Sequence, residues 1–346
     1  MKKLLISTAL VSSVLTGVAF SQTTISGEMR IGYKTHYDGD TQNESARGFG
    51  TEQQINIQNK GKTNFGWDYA SGFSIEVDGN ATTLANTNFD ENVFIDFINP
   101  SSGTTLSISR DHIQRSDSAR NASVALGYDA ADVIDGATDA TTASSFLIQA
   151  SPGTNAGQSF GFAIIQDIAK LGKVSYSYIP NTTEAGTSEG MGQSAASAYE
   201  VGFTGGLGVA GLNTYAFKGE KQKGATGVKP EQTNFGISYN TGPITAGVEY
   251  TKHVGRNAAV GVLANDEIKE KGYGLAYAVN KDLSLQIHHT TAKQEKATDT
   301  AKVTSIQAGY NLGPVALIVG AGKYESVDGI EGAEGKTIFT RLLTAF

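Results

Sequence analysis

Cysteine is absent from the 346 residues, so neither a disulfide framework nor a thiolate metal site can hold this chain together. Long apolar runs are missing too: beyond the N-terminal segment nothing approaches the roughly 20 apolar residues that a spanning helix needs. That excludes a helical membrane protein. A basic excess is lacking, with 27 Lys and Arg against 34 Asp and Glu, and a nucleic-acid partner would want a basic face. Proline is scarce at 6 residues, whereas glycine is abundant at 42.

The N-terminus carries Lys2 and Lys3, then an apolar stretch from Leu4 to about Val18, then Ala19-Phe20-Ser21 as a small-x-small cleavage site. This reads as a signal peptide over residues 1–21. A single membrane anchor fits less well, because the stretch is short and studded with Ser7, Thr8, Ser12, Ser13 and Thr16. Loss of Lys2 and Lys3 leaves 25 basic and 34 acidic residues in 22–346, a formal charge of −9.

Apolar and polar residues alternate with period two throughout the remainder, the mark of strands with two different faces. Ile25, Met29, Ile31 and Tyr33 share one face with Gly27, opposite Ser26, Glu28, Arg30 and Lys34. The pattern recurs in Phe235, Ile237 and Tyr239, in Tyr273, Leu275 and Tyr277, and in Ile306, Ala308 and Tyr310. The chain ends the same way: Ile338, Leu342 and Phe346 share a face and Arg341 takes the other. A membrane barrel hides such strands at ordinary hydropathy, since lipid-facing and lumen-facing residues average out.

Connections alternate as well. Short turns such as Thr241-Gly-Pro243, Asn280-Lys-Asp282 and Leu312-Gly-Pro314 separate long polar loops. The long loops fall at about 38–48, 80–90, 112–143, 181–197, 220–230, 255–266, 294–301 and 326–335. Eight outer loops imply sixteen strands with both termini at the other end, as in an up-and-down transmembrane β-barrel. Seventeen segments look strand-like, however, because 144–150, 158–166 and 173–180 compete for two crossings. A turn at Pro152-Gly-Thr-Asn-Ala-Gly157 is favoured, with the last two segments forming one long strand; a turn near Ala169 to Lys173 is the alternative.

Sixteen strands leave an aqueous channel. The longest connection, loop 3 at about 111–143, is the candidate to fold inward and narrow it, since long structureless stretches are usually functional. It carries Asp117, Asp129, Asp132, Asp135 and Asp139, which would favour cations at a constriction. Glu28, Arg30 and Lys34 are expected to face the lumen, because Arg or Lys turned to lipid costs about 2–4 kcal/mol near the midplane. Arg341 is expected beside Arg30, where the last strand closes on the first.

At this point the sequence resembles the trimeric general porins of Gram-negative outer membranes. The likeness runs through Thr24-Ile-Ser-Gly-Glu-Met-Arg-Ile-Gly32, Gly103-Thr-Thr-Leu-Ser-Ile-Ser-Arg110-Asp111, Phe146-Leu-Ile-Gln-Ala-Ser-Pro-Gly153 with Gly161-Phe162, and the terminal Phe346. The resemblance implies passive diffusion of small hydrophilic solutes, a homotrimer, an outer-membrane location amid lipid and lipopolysaccharide, and Phe346 as the signal read by the barrel-assembly machinery. It also implies that Arg110 lines the constriction, although Leu106, Ile108 and Arg110 share a parity; a bulge or strand end would resolve the conflict. A substrate-selective channel and a plugged adhesive barrel are the rival readings.

Other signals carry little chemistry. Gly206-Leu-Gly208-Val-Ala-Gly211 matches a dinucleotide-binding spacing but has strand-like sequence on both sides, so it reads as a hairpin turn. His288 and His289 point to opposite faces and cannot share a metal ion. His36, His112 and His253 read as isolated residues in or beside loops, and Asp38-Gly-Asp40 is at most a fragment of a calcium loop. No stretch proposes a nucleophile, base and orienting group together, so no enzyme and no cofactor are expected.

Overall fold

The alternation resolves into a closed barrel of sixteen antiparallel strands. The computed structural model describes residues 22–39, 43–80, 86–110, 113, 116, 133, 160–180, 197–222, 229–254, 267–329 and 331–346. The first strands are β1 (Gln22–Asp38), β2 (Asn43–Lys62), β3 (Asp68–Asn80) and β4 (Asn86–Asn99). Next come β5 (Thr104–Ser109), β6 (Gly161–Ile168), β7 (Gly172–Ile179) and β8 (Ala198–Gly205). Then follow β9 (Leu212–Lys221), β10 (Glu231–Thr241), β11 (Ile244–Val254) and β12 (Glu267–Ala278). The last four are β13 (Leu283–Gln294), β14 (Ala301–Asn311), β15 (Val315–Glu325) and β16 (Gly335–Ala345). Each strand pairs with its chain neighbours, and β1 pairs with β16, so no backbone edge is left unpaired.

Closure at the seam is made by the chain end. The backbone N–H of Phe346 donates to Gly27 C=O and the N–H of Gly27 to Phe346 C=O, each at 2.9 Å. The phenyl ring lies over Gly27, where a Cβ would come within 2.6 Å of it. Glycine at 27 is therefore what lets the terminal ring fold onto the outer wall.

Side chains sort by parity as alternation requires. Phe235, Ile237, Tyr239, Tyr273, Leu275 and Tyr277 are 44–52 % exposed on the outer face, where lipid would cover them. Gln232, Asn234 and Ser238, interleaved on the same β10, are buried on the inner face. Above the apolar band, outward parity passes to charged groups. Glu220 is paired to Lys218 (3.4 Å) and Lys229, Glu267 to Lys269 (2.5 Å) and Lys252, and Glu325 to Lys323 (2.6 Å) and Lys302 (3.7 Å). Each glutamate meets two lysines, and Glu231 stands opposite Glu220 to balance that group. Among them the Glu220 carboxylate holds the Lys229 ammonium above the usual lysine range.

Two expectations about boundaries are corrected. β6 and β7 are separate strands joined at 169–171, so the turn near Ala169 is used and the long strand after Pro152–Gly157 is not. Lys170 takes a φ of 63° and Gly172 a φ of 147°, with Leu171 N–H donating to Ile168 C=O at 2.8 Å; glycine at 172 makes that tight reversal possible. The sixteen strands close without 144–150, which lies outside the described residues. The connection from β5 to β6 accordingly spans 110–160 rather than 111–143. Likewise β1 and β2 pair as far as Asp38 and Asn43, and β3 and β4 leave only 81–85, so the first two outer loops are shorter than expected. There the strands rise beyond the apolar band, water can face both sides, and alternation stops marking strand.

Candidate functional site

The inner surface of the barrel is where residues of different strands converge. On β1, Glu28, Arg30, Lys34 and His36 share the inward parity. Arg30 Nη1 bonds Glu52 at 2.8 Å and its other amino group pairs with Glu28. One guanidinium between two carboxylates leaves this cluster with a net negative charge, so the basic face expected at Arg30 is cancelled by its own neighbours. Arg341 stands opposite Gly32 and Lys34 opposite Phe339, which makes Lys34 and Arg341 the cations of the β16–β1 seam.

Arg110 follows the last residue of β5, and its N–H donates to Val93 C=O at 2.8 Å. Ser107 and Ser109 are buried inward while Leu106 and Ile108 face out, and the Arg110 N–H continues the β4–β5 ladder by one pair beyond Phe94 and Ser109. Asp117, Asp129, Asp132, Asp135, Asp139 and His112 lie outside the described residues, as does Asp40.

Between Arg110 and Phe160 three residues are described, and all three touch the inner wall. Ile113 is fully buried against Gly161 and Ile179. Ser116 donates from Oγ to Glu200 Oε2 at 2.5 Å and from its backbone N–H to Oε1 at 3.2 Å. Val133 is fully buried among Ala292, Val303, Tyr324, Val327 and Phe339, and its methyls occupy the space a Cβ on Gly322 would take. Its carbonyl accepts a hydrogen bond from Thr337 Oγ1 at 2.6 Å. Since that hydroxyl has a single hydrogen, its 2.9 Å contact with His36 Nδ1 makes the imidazole the donor there. His36 is thus an inward member of β1, correcting the reading of it as an isolated loop residue.

Sequence reasoning missed the far wall. Glu200 on β8, Glu249 on β11 and Glu270 on β12 are all inward and nearly fully buried, and Tyr215 OH donates to Glu249 at 3.1 Å. The signal was available: Glu249 sits between outward Val248 and Tyr250, and Glu200 between Tyr199 and Val201. The parity rule that turned Arg30 inward turns these inward too. These three carboxylates therefore belong to β8, β11 and β12, whereas Lys34 and Arg341 belong to the β16–β1 seam.

His288 is buried inward and His289 outward on β13, as their parity demands. The 206–211 glycines form the turn between β8 and β9, with Leu207 at a φ of 51°. Among the described residues no group of three His, Asp or Glu could hold a metal ion.

The Gram-negative porin family matches residues 7–329. In fold the chain is similar to an anion-selective porin from Comamonas acidovorans, with 13% identity, 94% of this chain and 100% of that chain covered, and a TM-score of 0.65. It is similar to OmpF of Salmonella typhi in complex with daunomycin, at 10% identity, 94% and 97% coverage and a TM-score of 0.69. It is also similar to the outer membrane channel DcaP of Acinetobacter baumannii, at 11% identity, 94% and 97% coverage and a TM-score of 0.64. No curated protein matches the chain.

Proposed function

This chain belongs to the Gram-negative porin family, an outer-membrane channel and not an enzyme, and we propose that it passes small hydrophilic solutes and ions by passive diffusion through a lumen narrowed by the segment between β5 and β6. One observation carries the narrowing. Ser116 is bonded to Glu200 on β8 and Val133 to Thr337 on β16, and these strands stand eight places apart in a ring of sixteen. Anchors on two opposite walls support a segment that crosses the lumen between them. Purified protein in planar bilayers is expected to insert with stepwise conductance increments; protein that inserts but never conducts would overturn the reading.

A mild cation preference follows from Glu200, Glu249 and Glu270, from the net negative Arg30 cluster, and from the segment's Asp117, Asp129, Asp132 and Asp135. Lys34, Arg110 and Arg341 form the opposing basic side of the constriction. Residues 1–21 act as the export signal and 22–346 as the barrel domain. Three copies assemble, as is typical of the family, and Phe346 is read by the barrel-assembly machinery. The outward lysines around Glu220, Glu267 and Glu325 suit a rim that meets the phosphates of lipopolysaccharide. Deleting Phe346 should lower the yield of inserted barrels in cells and leave the conductance of those that insert unchanged; a normal yield would contradict the assembly role.

A further inference from the structure

The inner wall of β2–β4 contains a recess that the ion pathway does not need. It measures about 160 Å³ and is lined by the polar Gln54, Asn56, Gln58, Ser74 and Asn92 and by the phenylalanines Phe73 and Phe94. Reading across the register, Glu28–Gln54–Glu76 and Lys60–Ala70–Asp96 are charged rungs. Between them, Thr24–Gln58–Gly72–Phe94 carries no charge, and Ser26–Asn56–Ser74 is uncharged up to β4, where Glu91 stands opposite Ser74. The residues that line the recess itself are all uncharged: amides, a hydroxyl and phenyl rings.

The recess is built by departures from regular pairing. Between Gly72 and Glu76 the β3–β4 register slips twice, with extra residues on β4. Asn92 sits in the bulge at a φ of 51°, a conformation that costs a non-glycine residue energy and is held only where surroundings enforce it. Bulges of this kind re-aim a side chain. Here the re-aimed Asn92 Nδ2 donates to Ser74 Oγ at 3.1 Å, and Ser74 Oγ donates to Asn56 Oδ1 at 2.6 Å, a chain that fixes both amides. Gly72 has no room for a Cβ, which would lie 3.0 Å from the Phe94 ring and 2.6 Å from Ile57 O. The ring therefore lies against the wall beside the amides.

We propose that this recess is a subsite for a neutral polyhydroxylated solute of monosaccharide size. An amide offers a donor and an acceptor side by side, the complement of two adjacent hydroxyls, and Gln54, Asn56 and Gln58 repeat it every second residue along one face. The phenyl ring supplies an apolar surface for the C–H face of a sugar ring. The absence of charge among the residues lining the recess disfavours ions, and the volume is below the about 300–1,000 Å³ of pockets that enclose drug-sized ligands, so one ring fits and a chain of rings does not. The proposal rests on the porin reading, and the sugar-free current tests that reading separately.

The test uses purified full-length protein in planar bilayers with D-glucose as the probe. Single-channel current should fall along a saturating curve as glucose rises, beyond the proportional loss seen in bulk electrolyte. Phe94→Leu and Gln58→Ala should each weaken the half-blocking concentration by about tenfold, from loss of one good contact, while sugar-free conductance stays at the parent value. Asp167→Asn, distant from the recess, should leave the block unchanged. A purely proportional fall with glucose, or an equal saturating block in Phe94→Leu and Gln58→Ala, would overturn the subsite. If Phe94→Leu inserts poorly, Gln58→Ala alone decides, since its side chain packs at the lumen surface.

Discussion

The β2–β4 wall and the β8–β12 wall line the same lumen under different rules. From β8 to β12 the register runs without a slip, and every inward position can be read by counting in twos. Among its carboxylates, Glu200 accepts from Ser116 and Glu249 from Tyr215. From β2 to β4 the ladder slips, one asparagine takes a left-handed conformation, and the nearby arginine is consumed by two glutamates. On the proposed reading the regular wall biases charge selectivity and the irregular wall shapes a recess for solute, so the two properties fall to different parts of one ring.

The comparison breaks most severely if parity on the regular wall is wrong. Ile237→Arg on β10 turns a charge to lipid and should cost about 2–4 kcal/mol, whereas Asn240→Arg, three residues away, of inward parity and exposed, should cost far less. Urea titrations of protein folded into vesicles check this, and equal losses would refute the facing. Next in size is Gly322→Val, which fills the space held by Val133. Overpacking there should cost about 1–3 kcal/mol and raise conductance as the anchor is displaced; an unchanged conductance would place the constriction elsewhere. The smallest effect sharpens the division of labour. Glu249→Gln with Glu270→Gln should move the reversal potential in a salt gradient toward anions and leave glucose block intact, while Phe94→Leu should do the converse. A change of both properties by either variant would dissolve the distinction.

How far these features were legible depended on whether a residue's surroundings were local. Outer faces were readable because lipid imposes one rule on every strand, so Phe235, Leu275 and Phe346 declared themselves. The seam followed from the same rule, as Arg341 and Lys34 show. The 169–171 turn was harder, since Lys170 lacks the usual turn signature and the reversal depends on Gly172 meeting β8. Asn92 and the recess were invisible, because a bulge changes parity without changing composition. Thr337 and Gly322 were equally silent: an inward threonine and glycine are ordinary until Val133, two hundred residues earlier in the chain, is seen to rest on them. Glu200, Glu249 and Glu270 were within reach of the parity rule, but attention to the basic residues passed them by.

The central claim is that the segment between β5 and β6 crosses the lumen and is fastened to the wall at β15 and β16. A chain without cysteine allows a direct test. A Cβ placed on Gly322 would lie 3.2 Å from Val133 Cβ, close to the about 3.5–4.5 Å separation of a disulfide. The double variant Val133→Cys, Gly322→Cys, exported to an oxidising compartment, should form an intramolecular bridge without added oxidant and keep the parent conductance before and after reduction. Two free thiols in a folded, conducting barrel would contradict the account.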